Sequence, residues 1–75
     1  MRRAGTVRAS AQGVLVLESA DGDSPAIGTA VLDSSLDVVG RVVDVIGPVT
    51  GPLLVVSPAD DRRPADLLDE RLYLR

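Results

Sequence analysis

Apolar residues in this chain occur in short runs that are separated by Gly, Pro, Asp and Ser. Most runs consist of valine and leucine, and this combination is typical of strands bounded by turns. The pattern predicts six strands, at residues 4–9, 13–18, 26–32, 38–46, 52–57 and 71–74. We therefore expect one all-β domain over residues 1–75, a small six-stranded barrel, since a closed sheet leaves few edges on which aggregation can start.

The segments between the predicted strands carry turn residues. Residues 10–12 form a tight hairpin connection, and residues 21–25 form a turn in which Gly22 adopts a positive φ at little cost. Residues 33–37 connect the third strand to the fourth. Pro64, in the charged segment 59–69, either starts a single helical turn or lies in a plain loop.

Three predicted strands carry apolar residues on both faces, whereas a strand that lines a barrel should be apolar only at every second position. The second strand contains an unbroken Val-Leu-Val-Leu run at 14–17, and the fifth contains Leu-Leu-Val-Val at 53–56. Strict alternation divides the fourth strand into one face with residues 38, 40, 42, 44 and 46 and another with residues 39, 41, 43 and 45. An apolar outer face predicts a partner surface; high strand propensity and closure of the barrel ends form the alternative explanation.

The charges are unusual in kind. All eight positive charges are arginine, most of the eleven acids are aspartate, and the formal net charge is -3. A surface rich in aspartate and free of lysine suits concentrated salt, so we hypothesise a halophilic host. The absence of cysteine favours a reducing cytoplasm, and no apolar run is long enough for a secretory signal or a membrane span.

Catalysis and metal binding find little support in the sequence. Without histidine or cysteine, Ser-His and Cys-His nucleophiles are excluded, and paired acids such as Asp60 and Asp61 lie in hydrophilic turns. Residues 21–23 are similar to the start of a calcium loop but lack its later ligands, and the 47–52 segment has prolines where a phosphate loop needs N–H donors. We predict no catalytic residue, no metal site and no cofactor.

Direct binding of nucleic acid is also poorly supported. Small barrels bind single strands through aromatic stacking and a basic groove, but Tyr73 is the only aromatic residue and the arginines are scattered or beside aspartates. Any role in RNA biology should therefore be exerted through another protein.

The most specific stretch of the sequence runs from Val39 to Pro52. Gly40 permits a bend or a close backbone approach within the fourth strand, and Gly47 with Pro48 ends the strand in a rigid loop. We expect Asp44 to accept hydrogen bonds from amides of that loop. Apolar side chains on such a stiff ridge lose little entropy on docking. The predicted partner-binding residues are Val43, Asp44, Val45, Ile46, Gly47, Pro48, Val49, Pro52 and Leu54.

This stretch resembles the archaeal Gar-type (GAR) small subunit of H/ACA ribonucleoproteins, which guide pseudouridine formation in RNA. The similar pattern is V-G-x-V-x-D-V-[F/I]-G-P-V-x-x-P, from Val39 to Pro52. The resemblance extends over nearly the whole chain. It includes residues 5–7, 13–17, 27–28, 33 and 72–74.

The resemblance implies a split six-stranded barrel that docks on the pseudouridine synthase subunit and assists substrate loading and product release. It also implies that guide RNA is reached only indirectly, through the complex. The family more often has Phe where Ile46 stands, Tyr where Leu53 stands and Gly near Asp69, which puts the affinity of docking in doubt. Weak self-association of the isolated chain remains open.

Two further interpretations stay open. A PRC-barrel-like ribosome maturation module has a similar Gly-x-Val-x-Asp-Val strand and would bind a ribosomal protein. A stand-alone binder of single-stranded RNA would bind RNA without a protein partner, which the shortage of aromatic residues disfavours.

Overall fold

The computed structural model describes residues 2–20, 25–48 and 50–75, and six strands and one short helical turn are found there. The first four residues of the turn predicted at 21–25, and the predicted docking residue Val49, lie outside the described residues. The elements are β1 (Arg2–Ala11), β2 (Val14–Ser19), β3 (Ala30–Leu32), β4 (Val38–Ile46), β5 (Leu53–Pro58), a 3₁₀ turn (Pro64–Leu67) and β6 (Arg71–Leu74).

The six strands form a closed antiparallel barrel in the order β1-β2-β5-β4-β3-β6, with β6 pairing back onto β1. The predicted all-β barrel is thus confirmed. The third strand is shorter than predicted, because residues 26–29 turn instead of extending. The Thr29 amide and hydroxyl both donate to the Ala26 carbonyl, at 3.1 and 2.6 Å, and this turn delays the strand until Ala30.

The core fills the barrel with aliphatic side chains from every strand. Leu15 and Leu17 of β2 and Leu54 and Val56 of β5 are fully buried, so alternation holds in these two strands. Each such side chain contributes on the order of 1.5–3 kcal/mol when removed from water. The core cluster of the described residues contains no aromatic side chain, and its cohesion therefore rests on many aliphatic contacts.

The two ends of the barrel differ in what closes them. One end carries residues 33–37 and the 3₁₀ turn, from which Leu67 enters the core with 6% of its surface exposed; we call it the helix end. Pro64 at the start of this turn fits its fixed φ, which decides between the two predicted alternatives in favour of a helical turn. The other end carries residues 47–52 and the buried Pro25, and we call it the proline end.

The strict two-face pattern predicted for β4 is wrong. Val42 pairs with Val56 and Asp44 pairs with Val55, so Val43 is an extra residue, a β-bulge, that reverses the alternation. Val42 consequently faces the core, whereas Asp44 and Ile46, predicted on the same face, are exposed. The pairing of β4 with β3 contains a second irregularity, in which Val39 is the extra residue. With both irregularities, the β4 residues that face the core are Val39, Val42 and Val45.

The β1–β2 hairpin turns later than predicted. β1 continues to Ala11, and the two turn residues are Gln12 and Gly13, with φ values of 52° and 78°. Two successive positive φ values match the twist of the flanking strands, which is why such turns connect hairpins.

Gly40 confirms the predicted close approach of two backbones. A Cβ at this position would overlap the Ser57 carbonyl oxygen and crowd Val56 and Pro58, so only glycine lets β4 and β5 meet here. Gly5 of β1 stands in the same relation to the Glu18 carbonyl of β2, with a φ of 148°. Both glycines bring neighbouring strands close enough to close a narrow barrel.

Candidate functional site

The outer side of three neighbouring strands, β2, β5 and β4, is apolar. Val16 of β2 lies opposite Val55 of β5, and Leu53 of β5 lies opposite Ile46 of β4. Val16, Leu53 and Val55 are half-buried and Ile46 is exposed. We call these four residues, together with Val43, the apolar face.

The proline end stiffens the border of this face. β4 ends at Ile46, and Gly47 follows with a φ of 91°, as predicted from the Gly-Pro pair. The Gly51 amide donates to the Pro48 carbonyl at 3.1 Å, and the Ser19 amide of β2 donates to the Pro52 carbonyl at 3.3 Å. One hydrogen bond therefore closes the loop internally, and the other fastens it to β2.

The nine residues predicted to bind a partner have different environments. Val43, Asp44, Ile46, Gly47 and Pro48 are exposed along one continuous segment of backbone. Val45 is half-buried and packs against the core. Val49 lies outside the described residues.

Two of the predicted docking residues need correction. Leu54 is 1% exposed, because alternation in β5 directs it into the barrel, where it belongs to the core. Pro52 is also buried, and its carbonyl is engaged by Ser19. The outward positions of β5 are Leu53 and Val55. Alternation identifies them once it is known that Leu54 and Val56 face the core.

The expected role of Asp44 also differs. We predicted that its carboxylate accepts hydrogen bonds from amides of the 47–52 loop, but Asp44 Oδ1 accepts from the Val45 amide, at 2.8 Å. The bulge at Val43 directs the Asp44 side chain outward beside β4, and the adjacent amide is the donor within reach. Asp44 therefore caps the strand from outside.

One exposed apolar residue beside the face was missed. Ile27 is 62% exposed, the highest value among the large hydrophobic residues of the described chain. It precedes Gly28, whose amide donates to the Val42 carbonyl at 2.7 Å, so it lies next to the exposed part of β4. Ile27 falls within the strand predicted over residues 26–32, and no exposure was predicted for it.

A shallow groove of about 300 Å³ continues from the apolar face toward the helix end. Val43, Val38 and Pro58 provide apolar walls, and Arg41 lies at the side. The Arg41 guanidinium donates to the Gly28 carbonyl at 3.2 Å, which holds this cation away from the centre of the groove.

The helix end has a larger polar cavity of about 610 Å³, and two of its charged lining residues, Arg62 and Asp33, form an ion pair. Arg62 contacts Asp33 at 3.1 Å and Asp37 at 3.8 Å. Burial acts to raise the pKa of Asp33, yet amide donors from Asp37 and Ser35 and the nearby Arg62 outweigh it, so that pKa lies below its ordinary value. Such a carboxylate is held in its charged form, which suits a structural ion pair and not a general acid.

The described ranges show neither a metal-binding cluster nor a membrane-spanning helix. Residues 2–20, 25–48 and 50–75 contain no group of three or more His, Cys, Asp or Glu side chains arranged to hold a metal ion. Nor does this part of the chain form a helix with the length and apolar character needed to cross a membrane.

Comparison with known proteins defines the class of fold. No protein-family model and no curated protein matches the sequence. Among solved structures, the Gar1 domain of NAf1 superimposes with a TM-score of 0.72 over 99% of this chain and 81% of that chain. The two sequences are 11% identical, so the likeness establishes a Gar1-like barrel fold.

Proposed function

We propose that this chain is a non-catalytic protein subunit of an archaeal H/ACA ribonucleoprotein, in which it docks on the pseudouridine synthase subunit. The observation that carries the proposal is the apolar face beside Gly47 and Pro48, which lies on the outside of a closed barrel. Within the complex, the barrel assists substrate loading and product release by the synthase. The function thereby serves rRNA modification and ribosome biogenesis.

Three independent features support this function. The fold is that of a Gar1 domain. The 39–52 segment, which carries the family resemblance in sequence, is also the segment that exposes Val43, Ile46 and Pro48. Exposed apolar side chains that adjoin on neighbouring strands are typical of protein-protein contacts, because burying them on binding is favourable.

The remaining surface supports a docking role over chemistry on RNA. The chain has no histidine or cysteine to act as nucleophile or general base near neutral pH. Its one aromatic side chain, Tyr73, is half-buried in β6, and a single ring provides no stacking platform for successive bases. We therefore infer that guide RNA is contacted only through the complex.

The decisive experiment compares two charge insertions at equal exposure. Ile46 and Leu68 are both 44% exposed, but Ile46 belongs to the apolar face and Leu68 follows the 3₁₀ turn at the helix end. We expect wild type and Leu68→Asp to form a complex with the archaeal synthase subunit, and Ile46→Asp to bind at least about tenfold more weakly because it buries an unpaired charge.

The measurement is the mass of the mixture by light scattering, with the dissociation constant by calorimetry, in concentrated salt to suit the proposed halophilic host. Absence of a complex with wild type would contradict the proposed function. Equal effects of the two substitutions would show that the apolar face is not the docking site. Copurification with the small ribosomal subunit would favour the ribosome maturation alternative instead.

A further inference from the structure

The end of β4 has an edge that the barrel does not pair. β4 runs to Ile46, but its neighbour β3 contains only three residues and pairs no further than Arg41. Two more hydrogen bonds follow, from the Val42 amide to the Thr29 carbonyl at 3.0 Å and from the Gly28 amide to the Val42 carbonyl. Beyond them the chain turns away at residues 26–29, so among the described residues only β5 pairs with residues 43–46. We call residues 43–46 the free edge.

The direction of the backbone groups on this edge follows from the contacts of Val42 and Val45. Val42 directs its amide and carbonyl to the β3 side. In a regular strand Asp44 would be the next residue to do so, but the extra residue at Val43 shifts this orientation by one position, to Val45. In agreement, the Val45 amide donates to Asp44 Oδ1 and not to β5. Within the described part of the chain, no backbone amide on the β3 side donates to the Val45 carbonyl.

Apolar side chains border the free edge. Ile27 on one side and Val43 and Ile46 on the edge itself are 62%, 45% and 44% exposed. The Asp44 carboxylate lies among them and provides the one negative charge of the edge. An occupant must therefore supply a backbone acceptor and donor at strand spacing, apolar side chains, and a positive charge.

We propose that the free edge binds an extended, apolar-basic segment of the protein partner by strand addition. A carbonyl of the added strand replaces Asp44 as the acceptor for the Val45 amide, an amide of the strand donates to the Val45 carbonyl, and a basic side chain contacts the released carboxylate. In the free protein Asp44 protects the edge, because a charged cap on an unpaired strand discourages pairing with a second copy. Naming the partner as the pseudouridine synthase subunit rests on the proposed function.

Hydrogen exchange measured by NMR on ¹⁵N-labelled chain tests the strand addition. With saturating synthase subunit, we expect the Val45 amide to exchange at least about tenfold more slowly than in the free chain, since an added strand shields it from water. Complex formation with unchanged Val45 exchange would overturn the strand addition while leaving the proposed function intact. Absence of a complex would overturn both.

A pair of charge reversals provides the second readout. Asp44→Lys removes the cap and repels a basic strand, and should weaken binding at least about tenfold, whereas Asp60→Lys reverses an exposed charge at the helix end and should change binding less than about threefold. Equal effects would overturn the proposal. Val45 protection that rises with the concentration of the chain alone would assign the edge to a second copy and overturn it as well.

Discussion

The two ends of the barrel close the same core by different means. At the helix end, Leu67 enters the core and Arg62 joins Asp33 and Asp37 across the surface. At the proline end, Pro25 and Pro52 are buried, but Ile46 and Pro48 remain exposed. At the helix end Leu67 and the charged groups close the core within the described chain, although Leu36 and Leu68 remain exposed, whereas at the proline end the exposed apolar residues adjoin the apolar face.

This difference teaches where stability and binding are located. Substitutions at the helix end should change the free energy of unfolding and leave binding intact. Substitutions at the proline end should weaken binding and leave the free energy of unfolding nearly unchanged. The four predictions that follow test this separation, in descending order of expected effect.

Leu67→Ala should have the largest effect. Truncating a buried leucine leaves a cavity and costs roughly 2–5 kcal/mol, a large share of what a domain of this size possesses. Urea unfolding followed by circular dichroism gives the change, and Leu68→Ala, at an exposed neighbour, should stay within about 0.5 kcal/mol. Equal costs at the two positions would show that the 3₁₀ turn does not close the core.

Arg62→Met should cost about 0.5–1 kcal/mol, because it removes a partly buried ion pair with Asp33 and a longer contact with Asp37. The matched control is Arg8→Met, which breaks the ion pair between Arg8 and Glu18. Both of these side chains are more than half exposed. We expect the control to be nearly neutral in the same unfolding assay. A larger loss from the control would contradict the structural role assigned to Arg62.

Pro48→Gly should weaken binding to the synthase subunit by roughly twofold to fivefold, or about 0.4–1 kcal/mol, without changing the folded structure. Glycine increases the number of conformations that the 47–52 loop must give up on docking. Calorimetric titration measures the change, and Pro64→Gly at the helix end is the control for binding. Stronger binding by Pro48→Gly would mean that docking requires the loop to move.

Acid should weaken the helix end by a small amount. Because the pKa of Asp33 in the fold lies below its ordinary value, its stabilising contribution is complete above about pH 4 and is lost as the pH falls through the folded pKa. Unfolding midpoints measured between about pH 6 and pH 2 should decline more steeply for wild type than for Asp33→Asn. If the midpoints of wild type and Asp33→Asn decline in parallel, Asp33 does not contribute to the pH dependence of stability.

The sequence predicted most of the fold, since β2, β4 and β5 are rich in valine and leucine and are bounded by turn residues. It did not predict the bulge at Val43, because an extra valine among valines leaves no mark in the pattern. The bulge decides that Ile46 faces outward, and the choice of which β5 residues face the core decides that Leu54 is buried. The Asp33–Arg62 contact joins residues distant in sequence, which no local pattern reports.

Two backbone conformations show the same limit at single residues. Asp69 has a φ of 67°, a conformation that glycine adopts more readily than aspartate. Leu36 also has a φ of 67°, and a leucine gives no sequence signal for it. In the 33–37 loop the conformation is imposed by Asp33, whose carboxylate accepts from the Ser35 and Asp37 amides.

The seam between β1 and β6 has a consequence for how the molecule folds. Arg2 pairs with Leu74 there, so the final ladder of the barrel joins the two most distant parts of the chain. Local hairpins such as β1–β2 can form early, but ring closure bears a large loop entropy and should limit the folding rate. During synthesis, β1 therefore remains an unpaired strand along this seam until residues 71–74 have been made.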